Sequence, residues 1–270
     1  MTQTFTHGFT LVHRTYGHGP LPVIAFHGFG RTGEDFAFLE GYWAERCTVY
    51  AFDLPFHGES PWTEDRIEDP FAPEEFAAFF AAFADHIGAR RISVLGYSLG
   101  GRMALCLLER IPDRITKAFL VAPDGLKHRP WYRGLAGSAV GRALYAHFID
   151  HPVAVHGLVK GLRKAGLLNE RLQLFILGQS DTREKRRLLR AVWLSLRRIE
   201  PELPQVAAHA RSVPFTIQLV FGARDRVIRP EFAHELQGLA PDRVKVQLIP
   251  TGHVLLIPEL GEWLATQAPA

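Results

Sequence analysis

A serine stands in a segment with glycines on both sides, Gly96-Tyr97-Ser98-Leu99-Gly100-Gly101. The apolar run Ile92–Leu95 precedes it directly, and a helical pattern over Leu99–Arg110 follows it. The pattern G-x-S-x-G between a strand and a helix predicts a tight turn that exposes the hydroxyl group, and it needs small neighbours because the backbone passes close to other segments. A helix that begins at this turn also offers unpaired backbone N–H groups to a developing oxyanion. We therefore predict that Ser98 is a nucleophile.

This nucleophile needs partners elsewhere in the chain. A serine hydroxyl reacts poorly at neutral pH unless a neutral imidazole within hydrogen-bonding distance accepts its proton. Asp225 comes shortly after the apolar run Phe215–Phe221, and His253 follows the run Val244–Ile249. Both residues therefore follow predicted strands, as Ser98 does.

Apolar runs that could form strands alternate with helical patterns along the chain. The predicted strands are Phe9–His13, Val23–Phe26, Thr48–Phe52, Ile92–Leu95, Ala118–Val121, Phe215–Phe221 and Val244–Ile249. The predicted helices are Pro73–His86, Leu99–Arg110, Glu231–Leu239 and Pro258–Thr266. Several strands are apolar at every position, which is typical of strands covered on both faces. The alternation predicts an α/β fold with a mostly parallel sheet flanked by helices.

The strand signal is absent between about Leu126 and Ala210, where apolar residues recur at helical spacing. Asp181 and Glu184 have the spacing of a capping box at the start of one helix. We therefore predict a core of residues 1–125 and 211–270, with a helical cap, 126–210, inserted between two strands. The cap has fifteen Lys or Arg residues against six Asp or Glu residues. This charge can serve an anionic ligand, or it can lie on solvated outer faces of helices.

Several motifs, in this order, resemble the α/β-hydrolase superfamily, and the resemblance covers nearly the whole chain outside the insertion. They are His27-Gly28-Phe29-Gly30, Asp53-Leu54-Pro55-Phe56-His57-Gly58-Glu59-Ser60, the turn around Ser98, Phe221–Ile228 and Thr251-Gly252-His253. The resemblance implies a catalytic triad of Ser98, Asp225 and His253, in the chain order that this fold requires. Phe56 stands where the family usually has Gly, which affects the local turn.

The resemblance also implies a role for each residue of the site. His253 would take the proton of Ser98, and Asp225 would hold the imidazole in the required tautomer without accepting the proton. The backbone N–H groups of Phe29 and Leu99 would form the oxyanion hole. Such a site performs acyl transfer to water.

One position of the triad has a second candidate. Asp124, in Ala122-Pro123-Asp124-Gly125, follows a strand at a place where some family members carry the acid. Its alternative role is to cap a loop. The nucleophile is better defined: haloalkane dehalogenases and epoxide hydrolases of this fold need a carboxylate where this chain has Ser98, so neither chemistry is expected.

Three residues are candidate substrate-binding groups: Tyr97, Arg102 and His27. The turn with Tyr97 and Arg102 resembles that of 2-succinyl-6-hydroxy-2,4-cyclohexadiene-1-carboxylate synthase, a lyase of menaquinone biosynthesis that uses the same triad on an anionic substrate. The post-strand motif at Asp124 does not resemble that family. His27 and His57 are expected to organise loops through hydrogen bonds.

These features favour a cofactor-independent serine hydrolase, similar to carboxylesterases, that acts on a small carboxylic ester or a related acyl or C–C substrate. The lyase is the alternative, and a non-catalytic ligand receptor on this fold is a third hypothesis. No metal-ligand spacing or phosphate-binding Gly loop stands out, so we expect no metal and no cofactor. The expected partner is a small molecule, with an anionic one left open, and no nucleic acid. The sequence does not indicate an oligomeric state.

The composition is that of an ordinary globular enzyme, with 270 residues of which 47% are hydrophobic and 22% charged. The longest apolar run, Phe76–Ala84, is too short to span a bilayer. Cys47 and Cys106 cannot form a disulfide framework. Met1–His7 lacks a basic segment followed by an apolar one, so we expect no secretory signal and a cytoplasmic location.

Overall fold

The computed structural model of the chain describes residues 2–127, 136–166 and 170–267. Within them the strands are β1 (Thr2–His7), β2 (Phe9–Tyr16), β3 (Leu21–Phe26), β4 (Cys47–Phe52), β5 (Ile92–Tyr97), β6 (Ile115–Val121), β7 (Thr216–Gly222) and β8 (Val244–Ile249). They form one eight-stranded sheet in the order β1-β2-β4-β3-β5-β6-β7-β8. β2 pairs antiparallel with β1 and with β4, and the other pairs are parallel. The predicted α/β fold with a mostly parallel sheet is confirmed.

Helices flank this sheet and connect its strands. The described α-helices are α1 (Glu40–Trp43), α2 (Asp65–Glu68), α3 (Pro73–His86), α4 (Leu99–Arg110), α5 (Ala139–Asp150), α6 (Val153–Lys164), α7 (Glu170–Gly178), α8 (Arg183–Ser195), α9 (Leu203–Ser212), α10 (His234–Leu239) and α11 (Pro258–Gln267). Short 3-10 helices span Gly33–Leu39, Pro112–Arg114 and Pro230–Ala233. In the part of the chain that the structure describes, no helix is long and apolar enough to cross a bilayer.

The local sequence of helix α3 favours a helix, and the apolar face of that helix packs into the core. Pro73 stands at its first position, where the fixed φ of proline suits a helix. Four buried phenylalanines recur at helical spacing on one face, Phe76, Phe79, Phe80 and Phe83. Phe80 packs edge-on against Phe26 of β3, and Phe83 packs in the same way against Phe52 of β4, each with 4.8 Å between ring centroids. This aromatic layer fixes α3 on the strands that lead to the site.

Two local features differ from the sequence-based expectations. β1 lies at the edge of the sheet, and only Phe5 of its residues is partly covered, so no apolar run marks the strand. The predicted capping box at Asp181 is wrong by one residue. Thr182 is the N-cap of α8, because its side chain accepts a hydrogen bond from the backbone N–H of Lys185, whereas the Asp181 carboxylate binds the Lys185 ammonium group.

The chain divides into two compact units. The first comprises Met1–Trp62, Ala72–His128 and Ile199–Ala270, and the second comprises Thr63–Phe71 and Arg129–Arg198. The short segment 63–71 belongs to the second unit because it binds the end of α8: the N–H of Phe71 donates to the carbonyl of Ser195 at 2.8 Å, and Arg197 donates to the carbonyl of Ile67. The cap boundaries at 126 and 210 stay a prediction.

The parallel strands bring the predicted motifs to one edge of the sheet. β3, β5, β6, β7 and β8 are neighbours in that order and run in the same direction. The residues that follow their carboxyl ends therefore lie along a single edge, which is where ligands bind in open α/β sheets. The loops at this edge carry His27, Ser98, Asp124, Asp225 and His253.

Candidate active site

The turn between β5 and α4 places Ser98 in a strained conformation. Its backbone has φ 52° and ψ −113°, outside the regions that residues with a side chain normally adopt. Three backbone hydrogen bonds hold it there. The N–H of Ser98 donates to the carbonyl of Val121 at 2.9 Å, and its carbonyl accepts from the N–H groups of Gly101 and Asp124, both at 2.9 Å. The side chain is thereby presented at the N-terminus of α4, as a nucleophile requires.

The glycines around the serine are needed for close approach of the backbone. A Cβ at Gly100 would lie 2.0 Å from the carbonyl oxygen of Phe26, and a Cβ at Gly96 would lie 2.4 Å from the carbonyl oxygen of Gly100. Neither group can move aside, because both belong to the backbone. The turn can therefore pass beside β3 only with glycine at these positions.

Three non-glycine residues within the described ranges have positive φ, and all three lie in loops at the carboxyl edge of the sheet. They are Phe56 at 68°, Ser98 at 52° and Ala122 at 40°. Such conformations cost about 1–3 kcal/mol each and persist only where the surroundings enforce them. Phe56 adopts the left-handed conformation although it replaces the usual glycine, and its buried ring packs edge-on against Trp62 at 5.1 Å.

Asp225 and His253 form a hydrogen-bonded pair at the ends of β7 and β8. Nδ1 of His253 lies 2.8 Å from Oδ2 of Asp225. The other carboxylate oxygen of Asp225 accepts from the N–H groups of Val227 and Ile228, at 2.8 and 3.0 Å. The carboxylate is fully buried and the imidazole is largely buried. These bonds fix the carboxylate and orient the imidazole of His253 through Nδ1.

The loop after β3 is held by two buried histidines. Nε2 of His27 accepts the N–H of Leu54 at 2.9 Å, and Nδ1 donates to the carbonyl of Gly28. Nε2 of His57 accepts the N–H of Gly30 at 3.0 Å, and its Nδ1 donates to the carbonyl of Pro55. Both rings must be neutral to accept these bonds, and burial lowers the pKa of each, that of His57 to about 3. His27 and His57 thus tie the loops after β3 and β4 together.

Known proteins resemble this chain over most of its length. The model of the alpha/beta hydrolase fold family matches residues 22–260, most of the chain. The chain belongs to the α/β-hydrolase fold family. A pimeloyl-[acyl-carrier protein] methyl ester esterase from Chromobacterium violaceum is 28% identical, with 94% of this chain and 98% of that protein aligned. A thermophilic esterase from Thermogutta terrifontis superposes with a TM-score of 0.69 at 18% identity, covering 99% of this chain and 96% of that one.

Another relative of this α/β hydrolase is longer than this chain. The dihydrolipoyllysine-residue acetyltransferase component of the acetoin cleaving system from Pseudomonas putida is 27% identical over 86% of this chain. The chain spans 64% of the length of that protein. The likeness to the acetyltransferase component therefore concerns only part of that protein. The nearly full-length match to the esterase supports the conclusion that this chain is an enzyme.

The hydrolase loop that begins at Asp53 is organised by a buried carboxylate. Asp53 accepts from the N–H groups of Gly33 and Glu59, at 2.7 and 2.9 Å, and from the guanidinium group of Arg14 at 2.9 Å. Burial alone would raise the pKa of Asp53, but the N–H groups and Arg14 outweigh it and hold this pKa below its usual range. A Cβ at Gly58 would lie 2.1 Å from Oδ2 of Asp53, so glycine is required there.

The predicted substrate-binding residues of the hydrolase have partners inside the protein. The guanidinium group of Arg102 pairs with the carboxylate of Asp124, with Nε 3.0 Å from Oδ2. The hydroxyl of Tyr97 donates to the backbone carbonyl of His253 at 2.8 Å. His27 holds a loop, as expected. Asp124 therefore binds Arg102, while the carboxylate beside His253 is that of Asp225.

The predicted oxyanion groups lie on two segments that approach each other. Leu99 is the first residue of α4, where the N–H groups of the first turn have no acceptor within the helix. Phe29 follows Gly28, and a Cβ at Gly28 would lie 3.4 Å from the Cβ of Ser98. The loop that carries the N–H of Phe29 therefore passes directly beside the serine.

Buried histidines should make the stability of this hydrolase depend on pH. Burial, with a smaller effect of His86, lowers the pKa of His13 to about 4, and Nδ1 of His13 has no hydrogen-bond partner among the described residues. An unfolded histidine has a pKa of about 6.5. The unfolded state therefore binds more protons below pH 6.5, and stability falls as the pH drops from about 6.5 towards 4, by up to about 1.4 kcal/mol per pH unit for each such histidine.

Denaturant unfolding at a series of pH values from 7 to 4 measures this effect. His13→Phe should reduce the slope, because the new ring fits the aromatic contacts with Phe52 and Phe83 and binds no proton. A slope that is unchanged in His13→Phe would show that His13 does not contribute.

Proposed function

We propose that the protein is a cofactor-independent serine hydrolase that cleaves a small carboxylic ester, or a related acyl or C–C substrate, with Ser98, His253 and Asp225. The observation that carries the proposal is the buried Asp225 carboxylate, bonded to His253 at the end of β8. Ser98 occupies the strained turn at the same edge of the sheet. A neutral imidazole oriented by a carboxylate is what a serine hydroxyl needs in order to react.

The first half of the reaction forms an acyl-enzyme. Oγ of Ser98 attacks the carbonyl carbon of the ester while its proton passes to Nε2 of His253. The carbonyl electron pair moves to oxygen, where the N–H groups of Phe29 and Leu99 stabilise the negative charge. When the intermediate collapses, the alkoxide leaves and takes the proton from His253, so an alcohol is released.

The second half returns the enzyme to its starting state. A water molecule gives a proton to Nε2 of His253 and attacks the acyl carbon. The tetrahedral intermediate uses the same N–H groups, and its collapse returns the proton to Oγ of Ser98 and releases the acid. Asp225 stabilises the imidazolium in both halves because its negative carboxylate accepts a hydrogen bond from Nδ1–H, while the proton stays on Nδ1.

The alternatives have less support. The resemblance to the menaquinone-pathway lyase rested on Tyr97 and Arg102, and both have partners within the protein. A non-catalytic receptor would have no need of a carboxylate bonded to an imidazole at the same edge of the sheet as a strained serine. The esterase among the full-length relatives acts on a methyl ester, which favours an ester substrate here.

Basic residues of the second unit also have partners, which favours a neutral substrate. Arg183 pairs with Asp150, Lys185 pairs with Asp181, and Arg186 donates to the carbonyl of Ile149 at 2.7 Å. We infer that these charges stabilise the helices of that unit. These three basic residues of 126–210 are thus accounted for without an anionic substrate.

A matched pair of substrates tests this inference. The monomethyl and dimethyl esters of one dicarboxylic acid differ by one methyl group and one negative charge. We expect them to give equal kcat/KM per ester group in the wild type and in Arg102→Ala, with Ser98→Ala as the blank. A preference for the carboxylate-bearing monoester that weakens with added salt would show instead that exposed basic residues act on the substrate. Failure to hydrolyse any member of a broad acyl and C–C substrate set would contradict the proposed function.

A further inference from the structure

Tyr97 connects the nucleophile turn to the segment that carries the base. It is the last residue of β5, directly before Ser98, and only 6% of its surface is exposed. Its hydroxyl donates a hydrogen bond to the backbone carbonyl of His253 at 2.8 Å. Burial raises the pKa of Tyr97 to about 12, so the hydroxyl keeps its proton and remains a donor at neutral pH.

The ring of Tyr97 contacts two parts of the site. Its centroid lies 5.7 Å from that of the His253 ring, with 32° between the planes. On the side of the predicted oxyanion loop, a Cβ at Gly28 would lie 3.1 and 3.2 Å from Cδ1 and Cε1 of the ring. Glycine at position 28 therefore lets the ring pack directly against that loop.

The segment that carries His253 is a loop. Residues 250–257 connect β8 to α11 without helix or strand structure, and the neighbouring Val254 is 66% exposed. The bond from Asp225 holds the imidazole of His253, not its backbone. The hydroxyl of Tyr97 anchors the backbone of the same residue to the central sheet.

We propose that Tyr97 is a positioning residue, which holds the backbone of His253 through its hydroxyl and the oxyanion loop through its ring, rather than a substrate-binding residue. The proposal rests on the proposed function, because Tyr97 would maintain the relative positions of Ser98 and its base, His253. Small displacements of a reacting group cost large factors in rate. The hydroxyl therefore affects the chemical steps more than the binding of substrate.

The test is Tyr97→Phe, which removes the hydroxyl and keeps the ring. We expect kcat to fall between about 10- and 100-fold with KM unchanged when acylation limits turnover. Amide hydrogen exchange in residues 250–257, measured by mass spectrometry, should become faster. The matched control is Tyr50→Phe, which removes the same atom from a half-buried tyrosine of β4 and should alter neither quantity.

The outcomes separate this proposal from its alternatives. A rise in KM with kcat unchanged would overturn it and assign the hydroxyl to substrate binding. Unchanged exchange in residues 250–257 would overturn it as well, because the anchor would then be dispensable. If the wild type hydrolysed no ester, the proposed function would fail, while the exchange measurement would still decide whether Tyr97 fixes the segment of His253.

Discussion

Replacing Ser98 with Ala is expected to lower kcat by about 10⁶-fold, because the hydroxyl is the group that bonds to the acyl carbon. The fold should be retained. The hydrogen bonds that hold the turn are those of the Ser98 backbone with Val121, Gly101 and Asp124, and alanine keeps all of them. Activity on an activated ester and stoichiometric labelling by a fluorophosphonate probe are the two measurements.

A serine of the strand that precedes this turn provides the control. Ser93 is buried in β5, and its hydroxyl lies 2.8 Å from that of Thr116. Ser93→Ala removes the same atom and should leave both labelling and turnover intact. Labelling that persisted in Ser98→Ala would show that another residue is the nucleophile. A lyase would need the same serine, so the substrate set described above must distinguish hydrolysis from elimination.

The helices and strands of the protein interior could be predicted, because the residues that begin each element and the apolar pattern that it buries indicate the same structure. The predicted helices Pro73–His86 and Leu99–Arg110 have these same bounds in the structure. Proline marks the start of the first, and the turn at Ser98 marks the start of the second. β1 gave no such signal, since an edge strand with polar residues buries almost nothing that a sequence pattern could reveal.

The sequence predicts the motifs of the candidate site better than it predicts the partners of the side chains there. A motif records which residues follow a strand, and adjacent parallel strands then bring those residues to one edge. The partner of a side chain depends on distances that periodicity does not encode. Arg102 and Asp124 are 22 residues apart, and Tyr97 and His253 are 156 apart. One signal was present: Arg102 lies on the first turn of α4, just after β5, and Asp124 follows β6, the strand that pairs with β5.

Replacing Asp225 with Asn should lower kcat by roughly 10⁴-fold and leave the fold intact. Oδ1 of Asp225 accepts two backbone N–H groups, from Val227 and Ile228, so the oxygen of an asparagine would stay on that side. The amide NH₂ group would then face Nδ1 of His253 in place of Oδ2. Nδ1 would have to accept a hydrogen bond, the proton would move to Nε2, and the imidazole could no longer take the proton of Ser98.

Asp124→Asn is the matched control for this prediction, because it makes the same chemical change in the other candidate acid. The Asp124 carboxylate binds Arg102, and the bond to the carbonyl of Ser98 comes from the Asp124 backbone, which the substitution keeps. We expect a loss of stability of about 1–3 kcal/mol, typical of a hydrogen bond to a charged group, and a far smaller change in kcat. If Asp124→Asn abolished turnover and Asp225→Asn did not, the acid would belong after β6, and the bond between Asp225 and His253 would have only a structural role.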